Sequence, residues 1–270
     1  MSTHPFRAAS ESGASPEQFA ALFAPDVTFH TPILTKPVSG KDIMLQVIPY
    51  ATTLTGKPRY TLEVRADRQT VLLWQGTVEG YALQAATVLT DDPAGQIRDI
   101  TILMRPYPVV TRFQHSMYQR FASSIPADHW VLAAEPAARP HNQATSATLP
   151  PPALSLGPDV TLHSPVLTKE VHGKEPVGAI QKAVSALYGA RSYQATFSTP
   201  TQRITLWEAP INGYTAQGLS IDTVDAEELI IEMTELMRPW PVVTLLREAL
   251  LAQSLAFLTP DYWTLPERPA

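Results

Sequence analysis

Apolar residues recur along this chain at two periods, and each switch of period marks an element. Phe19, Leu22 and Phe23 form a helical stripe behind Ser15-Pro16-Glu17-Gln18, which reads as an N-cap followed by proline at the first helical position. Asp26 to Leu34 then alternates as a strand does, with Val27, Phe29 and Thr31 on one face and Thr28 and His30 on the other. Gly40 to Leu54 carries Ile43, Val47 and Leu54 at helical spacing, interrupted by Pro49. Three extended stretches follow, Tyr60–Ala66, Thr70–Val78 and Tyr81–Thr90. The turn signal Asp91-Asp92-Pro93-Ala94-Gly95 leads into a last strand, Ile97–Met104. Val109 to Phe121 closes the pattern as an amphipathic helix, with Phe113, Met117 and Phe121 on one face. Strands in a run beside segregated helices predict an α+β fold.

The whole pattern then recurs. A shift of 133 residues carries Asp26-Val27-Thr28-Phe29-His30-Thr31-Pro32 onto Asp159-Val160-Thr161-Leu162-His163-Ser164-Pro165. The same shift carries Gly40-Lys41 to Gly173-Lys174, Tyr60 to Tyr193, Trp74 to Trp207, and Leu103-Met104-Arg105-Pro106 to Leu236-Met237-Arg238-Pro239. No gap is needed between Asp26 and Trp130, so loop lengths are repeated along with elements. The period far exceeds the roughly 20–50 residues of solenoid units, and each copy is therefore a domain. The expected organisation is a first domain over 1–132, an Ala- and Pro-rich linker over 133–157 and a second domain over 158–270. Pro150-Pro151-Pro152 stands where the second opening helix belongs, so that helix is expected to be lost. The second copy's helix at Val177–Leu187 has no internal proline. Its closing helix is surrounded by Leu245, Leu246, Leu250, Leu251, Leu255 and Leu258, and is expected to be buried on more than one side.

Composition narrows the function. Hydrophobic content of 44% with 17% charged residues describes a packed globular protein, and a net charge of −5 gives no basic footprint for nucleic acid or an anionic membrane. With no cysteine, thiol nucleophiles and zinc-thiolate sites are excluded. No apolar run is long enough to span a bilayer, and the polar N-terminus shows no secretory signal, so a cytoplasmic protein is expected.

The order of elements, the strand reading Asp-Val-Thr-Phe-His-Thr-Pro, the Gly-Lys that opens the next helix and the strand ending Leu-Met-Arg-Pro together resemble the SnoaL-like branch of the nuclear transport factor 2-like superfamily. The resemblance covers about 85–105 residues of each copy. It implies a cone, a curved antiparallel sheet wrapped around helices with an apolar pocket inside. It also implies pairing through the outer sheet face, so a tandem copy would be an intramolecular pseudo-dimer. The superfamily holds cyclases, isomerases, hydrolases, dehydratases and plain ligand binders, so the fold leaves function open.

Residue by residue, the resemblance argues against steroid isomerase chemistry. The isomerase and polyether epoxide hydrolase branches place a carboxylate just before the first strand's proline, but here that residue is Thr31 or Ser164. The strand position matching the isomerase's protonated aspartate falls near Ala86-Thr87 and Leu219-Ser220, again without a carboxylate. Thr31 and Ser164 remain candidates to orient a ligand. His30 and His163 lie on the strand face opposite the apolar one, which favours an interfacial role; the alternative for His163 is acid–base catalysis. Seven scattered histidines show no metal-ligand spacing, and no metal or cofactor is expected. Arg105 and Arg238 read either as ion-pair partners of Asp99 and Glu232, which lie on the same strand face at period two, or as anchors for a carboxylate ligand. Trp74, Trp207, Tyr60 and Tyr193 read as core packing or as ligand contacts. Glu235 stands where the first copy has Ile102, among Met233 and Met237. It reads as a solvated residue near the strand end or, on an apolar face, as an acid or base of raised pKa.

Three functions are compatible with these residues: binding of an apolar or mixed-polarity small molecule in one or both cones, cofactor-independent acid–base chemistry, and a ligand-free interaction module. A cavity of roughly 300 Å³ or more separates the first two from the third.

Overall fold

The computed structural model describes residues 3–136 and 155–267. The first copy opens with helices α1 (Pro5–Ser12) and α2 (Pro16–Leu22). The Ser15 hydroxyl accepts from the Gln18 amide while the Gln18 side chain accepts from the Ser15 amide at 2.8 Å, closing a capping box at the predicted start. Helix α1 was not predicted, since Phe6 is its one buried residue and leaves no periodic stripe. Strand β1 (Phe23–His30) begins three residues before the predicted start and is followed by β2 (Val38–Ser39). Helix α3 (Lys41–Thr55) runs through Pro49 rather than breaking there, with Met44 and Val47 buried on one side of the proline and Thr55 on the other. Strands β3 (Arg59–Ala66), β4 (Gln69–Val78), β5 (Tyr81–Asp91) and β6 (Ile97–Arg105) and helix α4 (Tyr107–Phe121) complete the copy.

The second copy repeats these elements: β7 (Ser155–His163), β8 (Val171–His172), α5 (Lys174–Leu187), β9 (Ser192–Ser198), β10 (Gln202–Ile211), β11 (Tyr214–Val224), β12 (Leu229–Arg238) and α6 (Trp240–Ala252). Most of the expected linker, and the place of any second opening helix, lie outside the described residues; β7 begins at Ser155, inside the expected linker range. Helix α6 is buried on more than one side, as expected: it packs against α4, α5 and strands β10, β11 and β12, with Leu246 and Leu250 buried, while Leu251, 38% exposed, marks its solvent side.

Each copy is a curved antiparallel sheet folded around its helices, with β1 or β7 joining in parallel to β6 or β12. The two sheets meet at β6 and β12, where Met104 pairs with its own counterpart Met237, so the pseudo-two-fold axis passes between these residues. The alternation of strand side chains then assigns two faces. Concave faces carry the two helix-packed cores. Outer faces meet back to back: Val71, Leu73, Ala86, Val88 and Leu103 pack against Phe197, Ile204, Leu206, Leu219, Ile221 and Leu236. Burying each of the larger side chains stabilises the pair by about 1.5–3 kcal/mol. At the ends of the seam Tyr107 stacks on Trp240, with ring centroids 5.6 Å apart. Reciprocal backbone bonds run from the Tyr107 amide to Pro165 and from the Trp240 amide to Pro32, at 2.8 and 2.7 Å. The architecture is the intramolecular pseudo-dimer of two cones.

Candidate functional site

Both cones are hollow, and the hollows differ. The first encloses about 400 Å³ and the second about 310 Å³. The concave face decides their chemistry, because alternate residues of the same strands close the seam behind it.

In the first cone, Thr31, Tyr60 and Trp74 line the cavity with Phe29, Ile102, Met104 and Phe113. Among the described residues no carboxylate, lysine, arginine or histidine faces it. The Trp74 indole donates to the Thr87 hydroxyl at 3.0 Å, and Thr87 lies opposite Ile102 in the sheet. Thr31 has a structural duty besides its place on the wall, since its hydroxyl oxygen accepts the Leu34 amide at 2.9 Å. Desolvation raises the Tyr60 phenol above its usual pKa, and the Arg7 guanidinium lies 5.3 Å from its ring.

The second cone keeps the tryptophan–hydroxyl pair and adds charge. Trp207 donates to the Ser220 hydroxyl at 2.9 Å, and that hydroxyl stands 2.8 and 2.9 Å from the carboxylate oxygens of Glu235. Ser220 and Glu235 are partners across β11 and β12. Glu235 lines the cavity from the middle of its strand, which overturns the reading of a solvated residue near the strand end. Burial pushes its carboxyl up to about 7, against the pull of Arg191 and with a push from Asp222. Ser164 and Tyr193 line the same cavity; the Ser164 hydroxyl oxygen accepts the Val166 amide at 3.2 Å. Trp207 is 1% exposed and backs the wall without lining it, over Gly218, where any Cβ would fall inside the indole ring.

The cavity residues that were not anticipated include Tyr188, Arg191, Thr205 and Asp222. Asp222 is buried, its carboxyl pushed up to about 6 by desolvation, with Arg191 opposing. The Arg191 guanidinium lies 4.5 Å from the ring centres of both Tyr188 and Trp207. The signal for these residues was the 133-residue shift itself: it turns Thr55, Pro58, Leu72 and Leu89 into Tyr188, Arg191, Thr205 and Asp222.

Three proposed site residues lie elsewhere. His163 is on the outer face, 2.9 Å from Glu232 and 3.6 Å from Glu170, and lines neither cavity, so strand alternation prevails over the catalytic reading. Arg105 and Arg238 also line neither cavity, and neither pairs with Asp99 or Glu232. Each reaches across the seam instead. Arg105 Nε donates to the Ser164 carbonyl at 3.0 Å, and Arg238 Nε donates to the Thr31 carbonyl at 2.8 Å. Arg238 also donates to the Leu34 carbonyl at 3.1 Å. Their planar forks suit two converging acceptors, and the side-chain oxygens of Gln84 and Gln217 complete the arrangement. Among the described residues no group of three or more carboxylates or histidines is placed to hold a metal ion, and no helix is long and apolar enough to cross a membrane.

No protein-family model matches the chain, and no curated protein matches it significantly. Solved structures do. An uncharacterised protein with a cystatin-like fold from Silicibacter pomeroyi is 25% identical over 45% of this chain and 89% of its own, with a TM-score of 0.42. A steroid delta-isomerase from Pseudomonas aeruginosa is 22% identical over 44% of this chain and 87% of its own, with a TM-score of 0.41. A nuclear transport factor 2-like protein of unknown function from Cytophaga hutchinsonii is 14% identical over 39% of this chain and 88% of its own, with a TM-score of 0.32. Each spans just under half of the chain.

Proposed function

We propose that this twinned protein binds small molecules in its cones, the first cone taking an apolar one without a cofactor. The observation that carries this reading is the first cavity: about 400 Å³, walled mainly by aliphatic and aromatic side chains, with the uncharged hydroxyl residues Ser10, Thr31, Thr52, Thr55, Tyr60 and Thr87 as its polar side chains. That size and lining are those of a small-molecule site. A ligand-free interaction module would need no such space, and filled cones would be expected instead.

The test uses naphthalene as probe and the fluorescence of Trp74 and Trp130, both of which line the cavity. Saturable quenching is expected, and Ile102→Trp, which fills the space, is expected to abolish it. Equal responses from both proteins would place the probe elsewhere and defeat the proposal.

A second reading, acid–base chemistry without cofactor in the second cone, is favoured by one observation. Glu235 is held by Ser220 on the cavity wall with its carboxyl near 7, where one group can both accept and return a proton. Loss of turnover in Glu235→Gln with substrate affinity retained would support it; unchanged turnover would not.

A further inference from the structure

The second cavity holds two carboxyl groups and a single guanidinium, and neither carboxyl is in an ion pair. We infer that this cavity takes a small monocation with N–H donors, a protonated primary or secondary amine on an apolar body, bridging Asp222 and Glu235. The inference rests on the reading of the cones as ligand sites, but not on what occupies the first.

Asp222 carries the argument. It is 4% exposed on the concave face of β11 and lines the cavity, and its Oδ1 is enclosed without a hydrogen-bond partner. The hydroxyl of Thr205, 1% exposed and facing the same space, also has no partner. Buried polar groups are ordinarily satisfied, and an enclosed carboxylate without a donor is costly. Neither group finds a donor among the described residues, and both residues line the cavity, the one adjoining space a donor can enter. Asp222 lies opposite Met233 in the sheet and Glu235 is two residues further along the same strand, so the carboxyls are diagonal neighbours. The backbones of such neighbours stand about 7–8 Å apart, which lets two side chains converge on one ammonium group held between them.

Charge points the same way. Arg191 is the one cation lining the cavity among the described residues, and its guanidinium stacks against Tyr188 and Trp207. It comes within ion-pair distance of neither carboxylate, and it offsets one of the two negative charges. A monocation offsets the other, and its charge-assisted bonds are the strong kind. Leu162, Val184, Ile230, Met233 and Leu246 supply an apolar wall for the rest of the ligand.

Binding should respond to pH. The titratable and charged groups facing the carboxyls are Tyr188, whose phenol pKa burial pushes up, Tyr193 and Arg191; α5 presents the neutral Gln181 and α6 presents Leu246. An ammonium favours both carboxyls ionised, so affinity should rise as pH passes from about 6 through about 7.

The chain contains its own control, because the first cone has Leu89 and Ile102 at the two carboxyl positions. The full-length protein would be titrated calorimetrically with cyclohexylmethylamine and with cyclohexylmethanol, comparing the natural sequence, Asp222→Asn and the double variant Asp222→Leu/Glu235→Ile. The natural protein is expected to prefer the amine by about tenfold or more at pH 7.5, the scale of one charge-assisted hydrogen bond. Asp222→Asn should reduce that preference and the double variant should erase it. An unchanged near-ultraviolet circular dichroism spectrum and urea midpoint would show that each variant is folded. Equal binding of amine and alcohol by the natural protein, no amine binding, or a preference that survives the double variant would overturn the inference. Failure of naphthalene binding with the amine preference intact would defeat only the proposal for the first cone.

Discussion

The Ser220 hydroxyl stands between the Trp207 indole, 2.9 Å away, and the Glu235 carboxylate, 2.8 Å away, and can accept from one while donating to the other. Trp74 and Thr87 make the same first bond in the other copy, but Thr87 then faces Ile102. One scaffold thus supports an apolar cavity and a charged one: the carboxyls of Asp222 and Glu235 replace Leu89 and Ile102 on concave-face strand positions, and Arg191 enters from the connection between α5 and β9. The seam behind them remains apolar in both copies. The two hollows therefore differ in ionisable groups while the same apolar packing joins the halves.

Glu235 should make stability fall as pH rises. Its carboxyl is raised from 4.5 to about 7, so between those values the unfolded chain has released a proton that the folded chain retains. The stabilisation is complete below 4.5 and is lost as pH rises through 7. At about 1.4 kcal/mol for each pH unit, the stability difference between the natural protein and Glu235→Gln should change by up to about 3 kcal/mol across that window. Urea unfolding at several pH values measures it. Two parallel stability curves would show that the carboxyl is not perturbed.

Gly218→Ala should damage the second cone selectively. A methyl there would overlap the Trp207 ring, which is 1% exposed, so the indole would have to shift. The first copy has Ala85 at this position, and Trp74 is 8% exposed. Overpacking of this kind costs about 1–3 kcal/mol. Denaturant unfolding should show that loss, and a displaced indole should change the near-ultraviolet circular dichroism. An alanine variant of full stability and unchanged spectrum would contradict the close packing of ring on backbone.

How much of this was legible in the sequence follows from the range of each signal. Strand alternation placed Val27 and Phe29 inside and His30 outside, because period two is local. The N-cap at Ser15 was legible for the same reason, although the reciprocal bond from Gln18 was not. The gap-free shift exposed two equivalent domains and singled out Glu235. It would also have revealed Asp222 and Arg191 had every apolar position been compared, since Leu89 and Pro58 are their counterparts. The arginines were illegible for a different reason. Arg238 bonds to Thr31 and Leu34 across separations of 207 and 204 residues, whereas face periodicity could offer only partners on its own strand. Pro49 misled because a proline disfavours a helix interior, yet buried contacts on both sides hold α3 together.

His30 should set an acid limit on the pair. Burial chiefly, and the charge of Arg238 next, lower its pKa from 6.5 to about 4. Below 6.5 the unfolded chain takes up a proton that the folded chain excludes until about 4, so stability present above 6.5 is lost as pH falls. Allowing for its partial exposure, the effect is on the order of 1–2 kcal/mol. Its sign is opposite to that of Glu235 over the same range. His30→Gln should therefore flatten the acid limb, read as the pH dependence of the difference from the natural protein. A constant difference from pH 4 to 7 would mean that His30 titrates alike in both states.

Arg238 should matter more than Arg105, although the two are equivalent by position. Both are buried, and desolvation lowers each to about 10, so both stay charged at neutral pH. Arg238 satisfies two carbonyls of the opposite copy, at Thr31 and Leu34, where Arg105 satisfies one, at Ser164. Each buried carbonyl left without a donor costs about 1–3 kcal/mol. Arg238→Ala should therefore lose roughly 2–5 kcal/mol, and Arg105→Ala about half of that. Arg238→Lys should recover little, because a single ammonium cannot reproduce the planar fork. The effect should also be directional. The turn from Thr31 to Leu34 lines the first cavity, so loosening it from the far copy should weaken naphthalene binding there while leaving the amine preference of the second cavity in place. Equal losses for the two alanine variants, or full rescue by lysine, would mean that the guanidinium acts as a point charge and not as a clamp between the halves.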